Sequence, residues 1–524
     1  MRTEKVVYRL EIFFKISFLL YAMLSTCNLT YGKGIVSVIM WPMFISGAVL
    51  FCIRGLQIKQ YIKTPHLWIL ICLCGSYVFS SVMNYEYFSK RVIVTLIFWM
   101  FYFGILYASK ETQLHQKTVK EFELFGYIYI IYALIMVVIS LGMMAVGYSS
   151  HYIDKDNGNY EICAGFYDGR LWGAFQDPNL GAVVCCVAIM LSVYFICKQA
   201  SRVKRVGLAI CVILFISYIA FSDSRNGLVS LFVGVTTWTF VWLFHKKKDI
   251  RKLIVNGCVA VLAGIICFVV PISIKSGYNY FVQIESQKKM SEDKNNSQGE
   301  KKVEESKEST QQKNSIQGSN NEVKKQTNSK QTVETKTQKS NSSSISAQNT
   351  VEQKETEQKS LALVKRGYSM KGDISNQRFQ LWASAIEVGL SRPWTGISFY
   401  GIVPYAEKNF PDTYIVNNDH WVYSTMDNEL MNIFVAQGFP GLLIVICLIV
   451  SVLKNIFCNI RKVKEEEWMG MTTILTSVII LAVSAMFQST MFYQNAANAI
   501  IFWMFLGYLV VLLKRDQESR GEES

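Results

Sequence analysis

The sequence has 524 residues, of which 51% are hydrophobic and only 18% charged, with a formal net charge of +14. Soluble domains carry about 25% charged residues, yet here the mean hydropathy is +0.23 although one long stretch is almost wholly polar. A secreted enzyme, a cytosolic enzyme and a soluble binding module are excluded. The basic residues sit in short loops between apolar runs, which is a membrane-topology signal and not a nucleic-acid footprint.

Apolar runs of roughly 18 or more residues recur, and each can cross a bilayer as a helix. They are continuous and not alternating, so helices and not a barrel are expected. Twelve membrane helices are predicted, centred near Leu20, Phe44, Cys74, Phe98, Ala133, Ile189, Phe215, Val235, Leu262, Val445, Ile480 and Met504. The first run lacks a small-residue cleavage pattern and reads as a retained helix. Arg2, Lys5 and Arg9 precede it, and Lys15 near its inner end is expected to snorkel to the interface. Basic clusters follow every even-numbered helix, among them Arg54, Lys59 and Lys63 after the second and Lys246, Lys247 and Lys248 after the eighth. Both termini are therefore placed in the cytoplasm. The expected fold class is an all-α polytopic membrane protein of about twelve helices.

Helices 1–9 are assigned to residues 1–274, an extracytoplasmic loop to 275–430, helices 10–12 to 431–513 and a cytoplasmic tail to 514–524. A second outer loop spans about Gly147–Pro178. Within the large loop, residues 285–360 hold 14 lysines against 12 acidic residues, with no aromatic residue, Cys or Pro. Such a stretch buries too little apolar surface to offset its ordering entropy and is expected to be disordered. It reads either as a contact for anionic cell-wall polymer or as a tolerated insertion. Residues 375–400 follow as an amphipathic helix near the outer membrane face, with Phe379, Trp382, Ala383, Ile386 and Leu390 on one side. Pro393 and Gly396 end it.

Most of the thirteen cysteines lie in apolar runs, and Cys163 alone falls in an outer loop. Neither a disulfide framework nor a zinc site is expected. Helix interiors hold almost no ionisable groups, which argues against ion-coupled transport. No phosphate loop, HExxH or GxSxG pattern occurs.

Four polar clusters lie at outer helix ends instead. In the first, Ser222-Asp223-Ser224-Arg225-Asn226-Gly227, Arg225 must lie at the outer surface. It reads as a guanidinium fork for a lipid-linked pyrophosphate, or as a salt bridge to Asp223 or to headgroups. The second runs from Arg170 to Gly181. Arg170 and Asn179 face a polar substrate, or Asp177-Pro178-Asn179 simply starts a helix. In the third, Arg378 opens the amphipathic helix, as a ligand for substrate or as an exposed surface charge. The fourth holds His420, Asp427, Asn428 and Glu429. His420 and Asp427 are candidate general bases; equally, Asp427 is a helix N-cap with Asn428 beside it, and His420 is a solvated loop residue.

Taken in order, these segments resemble the O-antigen ligase and Wzy-type polysaccharide polymerase superfamily. Arg170, Gly173, Phe175, Pro178 and Asn179 match its Arg-x-x-Gly-x-Phe-x-x-Pro-Asn segment. Ser224, Arg225 and Gly227 match Ser-Arg-x-Gly. Arg378, Trp382, Pro393 and Gly396 match the Arg, Trp and Pro-x-x-Gly of the large loop. Asp427, Asn428, Gly438 and Gly441 match the terminal Asp-Asn and Gly-x-x-Gly. The resemblance implies a metal-independent glycosyltransferase without cofactor in the bacterial plasma membrane. It implies an undecaprenyl-pyrophosphate-linked oligosaccharide as substrate, with Arg225 and Arg378, and more weakly Arg170, on the pyrophosphate. Asp427 is the first candidate base and His420 the second, with Asn179 and Asn428 facing substrate. Beyond substrate and membrane lipids, a chain-length regulator and a flippase are candidate partners. Two departures from the family pattern stand out. Asp427 replaces the His of the ligases, as in capsular or exopolysaccharide polymerases, and the usual Gly-x-Gly reads Gly396-Ile397-Ser398. The expected activity is polymerisation of repeat units, with ligation of finished glycan and glycan transport as alternatives.

Overall fold

The computed structural model describes residues 2–514 except 32, 111–114, 155–159, 245–249, 312–376 and 419–421. Its long helices are α1 (Arg2–Ser25), α2 (Gly34–Leu56), α3 (Leu67–Met83), α4 (Arg91–Phe101), α5 (His115–Ala145), α6 (Pro178–Lys198), α7 (Arg202–Ser222), α8 (Arg225–Phe244), α9 (Ile250–Gln311), α10 (Arg378–Leu390), α11 (Glu429–Asn459), α12 (Glu465–Ser484) and α13 (Ala497–Leu512). Among the described residues eight helices are long and apolar enough to cross a membrane, and α3, α13 and the stretch Arg91–Tyr107 are shorter apolar helices. Each of the twelve centres read from the sequence falls in one of these helices or in α1. The protein is an all-α, multi-pass membrane protein, apart from one small sheet.

That sheet occupies the outer loop between α5 and α6. Strands β1 (Ser149–Asp154), β2 (Tyr160–Tyr167) and β3 (Arg170–Gly173) pair antiparallel in the order β1-β2-β3. Hydropathy misses it because the strands are short and the sheet is confined to one loop.

The chain divides into two compact units, 1–275 with 372–524, and 276–371. The first contains the helical bundle. In the second, the described residues are the continuation of α9 to Gln311. Helix there differs from the disorder expected from residue 285, since Lys, Glu and Gln are good helix formers and no Pro intervenes. The rest of that low-complexity stretch lies outside the described residues.

Helices α6 and α13 are apolar all round, and a helix of that kind belongs in the interior. Every residue of α13 is buried, and α6 is buried along nearly its whole length. Small residues allow close approach between helices in the bundle. Gly227 of α8 lies against Ala182 of α6, for instance, where an added Cβ would sit 2.5 Å from the alanine methyl.

Lys15 does not snorkel. It is 2% exposed and pairs with Glu11 at 2.7 Å and with Glu121 of α5 at 2.9 Å, while Arg54 of α2 reaches Glu11 at 3.0 Å. The Tyr508 hydroxyl of α13 donates to Glu121 at 3.1 Å. Helix interiors are therefore not free of ionisable groups. A buried cation is tolerable only when paired; Glu11 lies one turn away, and Glu121 comes from 106 positions further along the chain.

Candidate functional site

The first element of the site is the entry into α6. Asp177 caps that helix, accepting from the Asn179 N–H at 2.6 Å, and Pro178 takes the first helical position. Phe175 is fully buried and packs on Tyr218 of α7 with ring centroids 5.1 Å apart. Arg170 of β3 is thereby held over the end of α7. Its Nε donates to the Ser222 carbonyl at 2.9 Å and its Nη2 to Asn179 Oδ1 at 3.1 Å.

The second element is the turn between α7 and α8. Ser224 is fully buried. Its hydroxyl donates to Asn179 Oδ1 at 2.9 Å and accepts from the Gly227 N–H at 3.0 Å, so it joins the first element to the start of α8. Arg225, in the first turn of α8, is exposed. Asp223, with φ 52°, pairs at 2.9 Å with Lys275 of α9. The alternative partner read for Arg225 from the sequence is thus engaged by a lysine that sequence reasoning did not select.

The third element joins α10 to α11. Asn428, not Asp427, is the N-cap of α11: its Oδ1 accepts from the Leu430 and Met431 N–H groups, and its Nδ2 donates to the Met486 carbonyl at 3.1 Å. Asn428 was expected to face substrate, but its side chain is 7% exposed and committed to the helix end. That releases Asp427 from capping. Its carboxylate Oδ2 lies 3.7 Å from Arg378 Nε, and about a third of the side chain, 36%, remains open. The remainder sits deep among protein atoms. That burial pushes the carboxyl up to about 6, against the pull of Arg378, and the negative charge of Asp177 adds to the rise. Burial also pushes the nearby Tyr423 phenol up. Arg378 Nε is buried and has no hydrogen-bond partner among the described residues. Asp427 at φ 47° and Gln377 at φ 64° both occupy the left-handed region, which Asp tolerates better than Gln. His420 lies outside the described residues.

Pro393, Gly396 and Gly438 hold the third element in place. α11 is broken at Gly438 (φ 68°, ψ −166°). The segment after α10 supplies partners for the broken backbone: Phe439 N–H donates to the Pro393 carbonyl at 2.7 Å, and the Ile397 and Ser398 N–H groups donate to the Val435 and Ala436 carbonyls at 2.9 Å each. A break in a membrane helix needs such partners. Ser398, where the family pattern has Gly, still takes φ 65°, and its hydroxyl lies 3.0 Å from that of Ser81 in α3. Ser398 thus holds a left-handed φ that glycine adopts more easily.

The connection between α12 and α13, residues 485–496, was not singled out from the sequence. Gln488 donates to Asp177 Oδ2 at 3.0 Å. The buried Glu429 carboxylate accepts from the Met491 and Phe492 N–H groups at 2.6 and 3.2 Å. Asn432 bonds Ser489, and the indoles of Trp99 and Trp503 donate to the Phe492 and Met491 carbonyls. This segment ties the entry of α6 to the start of α11. Its density of amide and hydroxyl residues, Gln488-Ser489-Thr490 and Gln494-Asn495, was the available signal.

One end of the bundle thus collects Arg170, Asn179, Asp223, Arg225, Lys275, Arg378 and Asp427, together with the N-termini of α6, α8, α10 and α11. Helix N-termini carry partial positive charge and favour anions. Cations joined by a carboxylate of raised proton affinity can hold a polyanion and accept a proton beside it.

Residues 210–446 match the family model described as O-Antigen ligase. No curated protein matches the chain.

Proposed function

We propose that this chain, whose residues 210–446 match the O-antigen ligase family model, is a polymerase of lipid-linked oligosaccharide repeat units at the outer face of the plasma membrane. The observation that carries the reading is the pairing of Arg378 with Asp427 at the same end of the bundle as Arg170, Asn179 and Arg225. The donor is a growing glycan on undecaprenyl pyrophosphate, and the acceptor is a hydroxyl of a second lipid-linked unit. The hydroxyl oxygen attacks the donor's anomeric carbon, the bond from that carbon to the pyrophosphate oxygen breaks, and Asp427 takes the hydroxyl proton. Arg225 and Arg378 hold the pyrophosphate and stabilise the negative charge that develops on it as it leaves. Arg170 already donates to Ser222 and Asn179 and acts mainly through that turn.

The experiment is a gel profile of lipid-linked and surface glycans from cells carrying Arg225→Ala or Arg378→Ala. The expected result is collapse of the ladder to single repeat units, with the protein still in the membrane. Unchanged chain length in both variants overturns the assignment. A ladder that persists on lipid but is missing from its final acceptor identifies a ligase, the reading favoured by the family's description. Asp427 in place of His favours polymerisation.

A further inference from the structure

Helix α10 has two apolar faces. Leu381, Ala385 and Val388 are buried, and Gly389 lies where an added Cβ would sit 2.5 Å from the Phe434 ring of α11. The other face is uncovered among the described residues. Phe379, Ile386 and Leu390 are 66, 43 and 53% exposed, and Trp394, one turn further on, is 70% exposed. The spacing of the first three places them on one face of α10, and Trp394 lies just beyond its end. A contiguous uncovered stripe of large apolar side chains marks an interaction surface.

We infer that this stripe is seated in the outer leaflet of the bilayer, with α10 lying along the membrane interface and the break in α11 marking the outer edge of the hydrocarbon core. Continuity is the first argument. The Trp394 and Phe439 rings meet at 6.0 Å, so the stripe passes directly onto the outward face of α11, where Phe439, Leu443 and Val450 are exposed. On a membrane-spanning helix such a face meets lipid. Length is the second argument. Counted from Glu429 to Asn459, α11 has 31 residues and would measure about 46 Å, well beyond a hydrocarbon core of about 30 Å. Counted from Phe439, directly after the break, it is about 31 Å long. The part before the break is enclosed by protein, as Asn432 through Gly438 are all buried. Trp394 then lies at the boundary, the depth that tryptophan favours. Because Arg378 is the first residue of α10, this seating fixes the guanidinium near the headgroup level.

The test uses full-length protein in lipid nanodiscs, with exposed native cysteines replaced. Ile386→Cys, Leu390→Cys and, as a site outside the helix, Trp394→Cys each carry a polarity-sensitive fluorophore; Glu387→Cys on the exposed polar side is the comparison. Lipids bearing a nitroxide high on the acyl chain are expected to quench the first three several-fold more than aqueous iodide does, with the order reversed at Glu387→Cys. Stronger quenching by iodide at all four positions overturns the inference. So does protection from both quenchers that is lost on dilution into detergent, which would mean that a second copy covers the stripe. The inference does not use the reaction proposed above: quenching bears on the seating of α10 alone, and the glycan ladder of the arginine variants on the reaction alone.

Discussion

Gly438→Ala tests the break in α11 directly. At φ 68° and ψ −166° the backbone occupies a region essentially restricted to glycine, and holding another residue there costs about 1–3 kcal/mol. The added Cβ would also overlap the Pro393 carbonyl oxygen and lie 3.0 Å from the Gly396 nitrogen. Relief requires the Pro393–Ser398 segment to move, which breaks the Phe439-to-Pro393 hydrogen bond at a cost of about 1 kcal/mol or more for a buried group. The combined loss is about 2–4 kcal/mol. Thermal unfolding in detergent, followed by the fraction of monodisperse protein, should show a midpoint lower by roughly 2–4 °C. Gly257→Ala in α9 is the control, because nothing lies within 4 Å of its added Cβ, and its midpoint should move little. Equal midpoints for the two variants would refute the broken-helix geometry and the docking of α10 that depends on it.

Activity should fall as pH drops through about 6, the value to which Asp427 is raised, since a base must be deprotonated; an acid limb near pH 4 would refute its role. The stability sign is opposite. A carboxyl raised above its ordinary 3.8 stabilises the fold while neutral at low pH and loses that contribution as pH rises through about 6. Asp427→Asn should therefore be inactive yet at least as stable as the parent at pH 8, and a lower midpoint there would contradict the burial argument. Asn428→Ala should cost about 1 kcal/mol through loss of the α11 cap, whereas Asn428→Asp should retain most of it; equal midpoints for the two would refute the capping role. Lys15→Met leaves Glu11 and Glu121 without their shared cation and should cost about 3–5 kcal/mol, seen as a lower yield of monodisperse protein, with Glu121→Gln in the same chain restoring part of it.

Much of the architecture was legible in the sequence because spanning a bilayer is a local property. A run such as Pro178–Lys198 is helical and membrane-buried by its own length and hydropathy, whatever its neighbours are. Helix ends were also partly legible, since a cap acts over two or three residues: Asp177-Pro178 was read correctly. At 427–428 the same signal was ambiguous, because Asp and Asn cap equally well, and the structure assigns the cap to Asn428. What the sequence by itself determined is the fold class, the placement of the twelve apolar helix centres and the family resemblance that its spaced motifs carry.

The tertiary structure alone decided which polar groups meet. Gln488 reaches Asp177 across 311 positions, Arg392 reaches Asn84 across 308, and Lys15 reaches Glu121 across 106. Hydropathy and spacing carry no information about such pairs, because a hydrogen bond or ion pair depends on distance in space and the register between helices is set by side-chain packing. The same reason explains why the face of α10 marked by Phe379 and Ile386 is the exposed one: both of its faces are apolar, and only the position of α11 determines which one is buried.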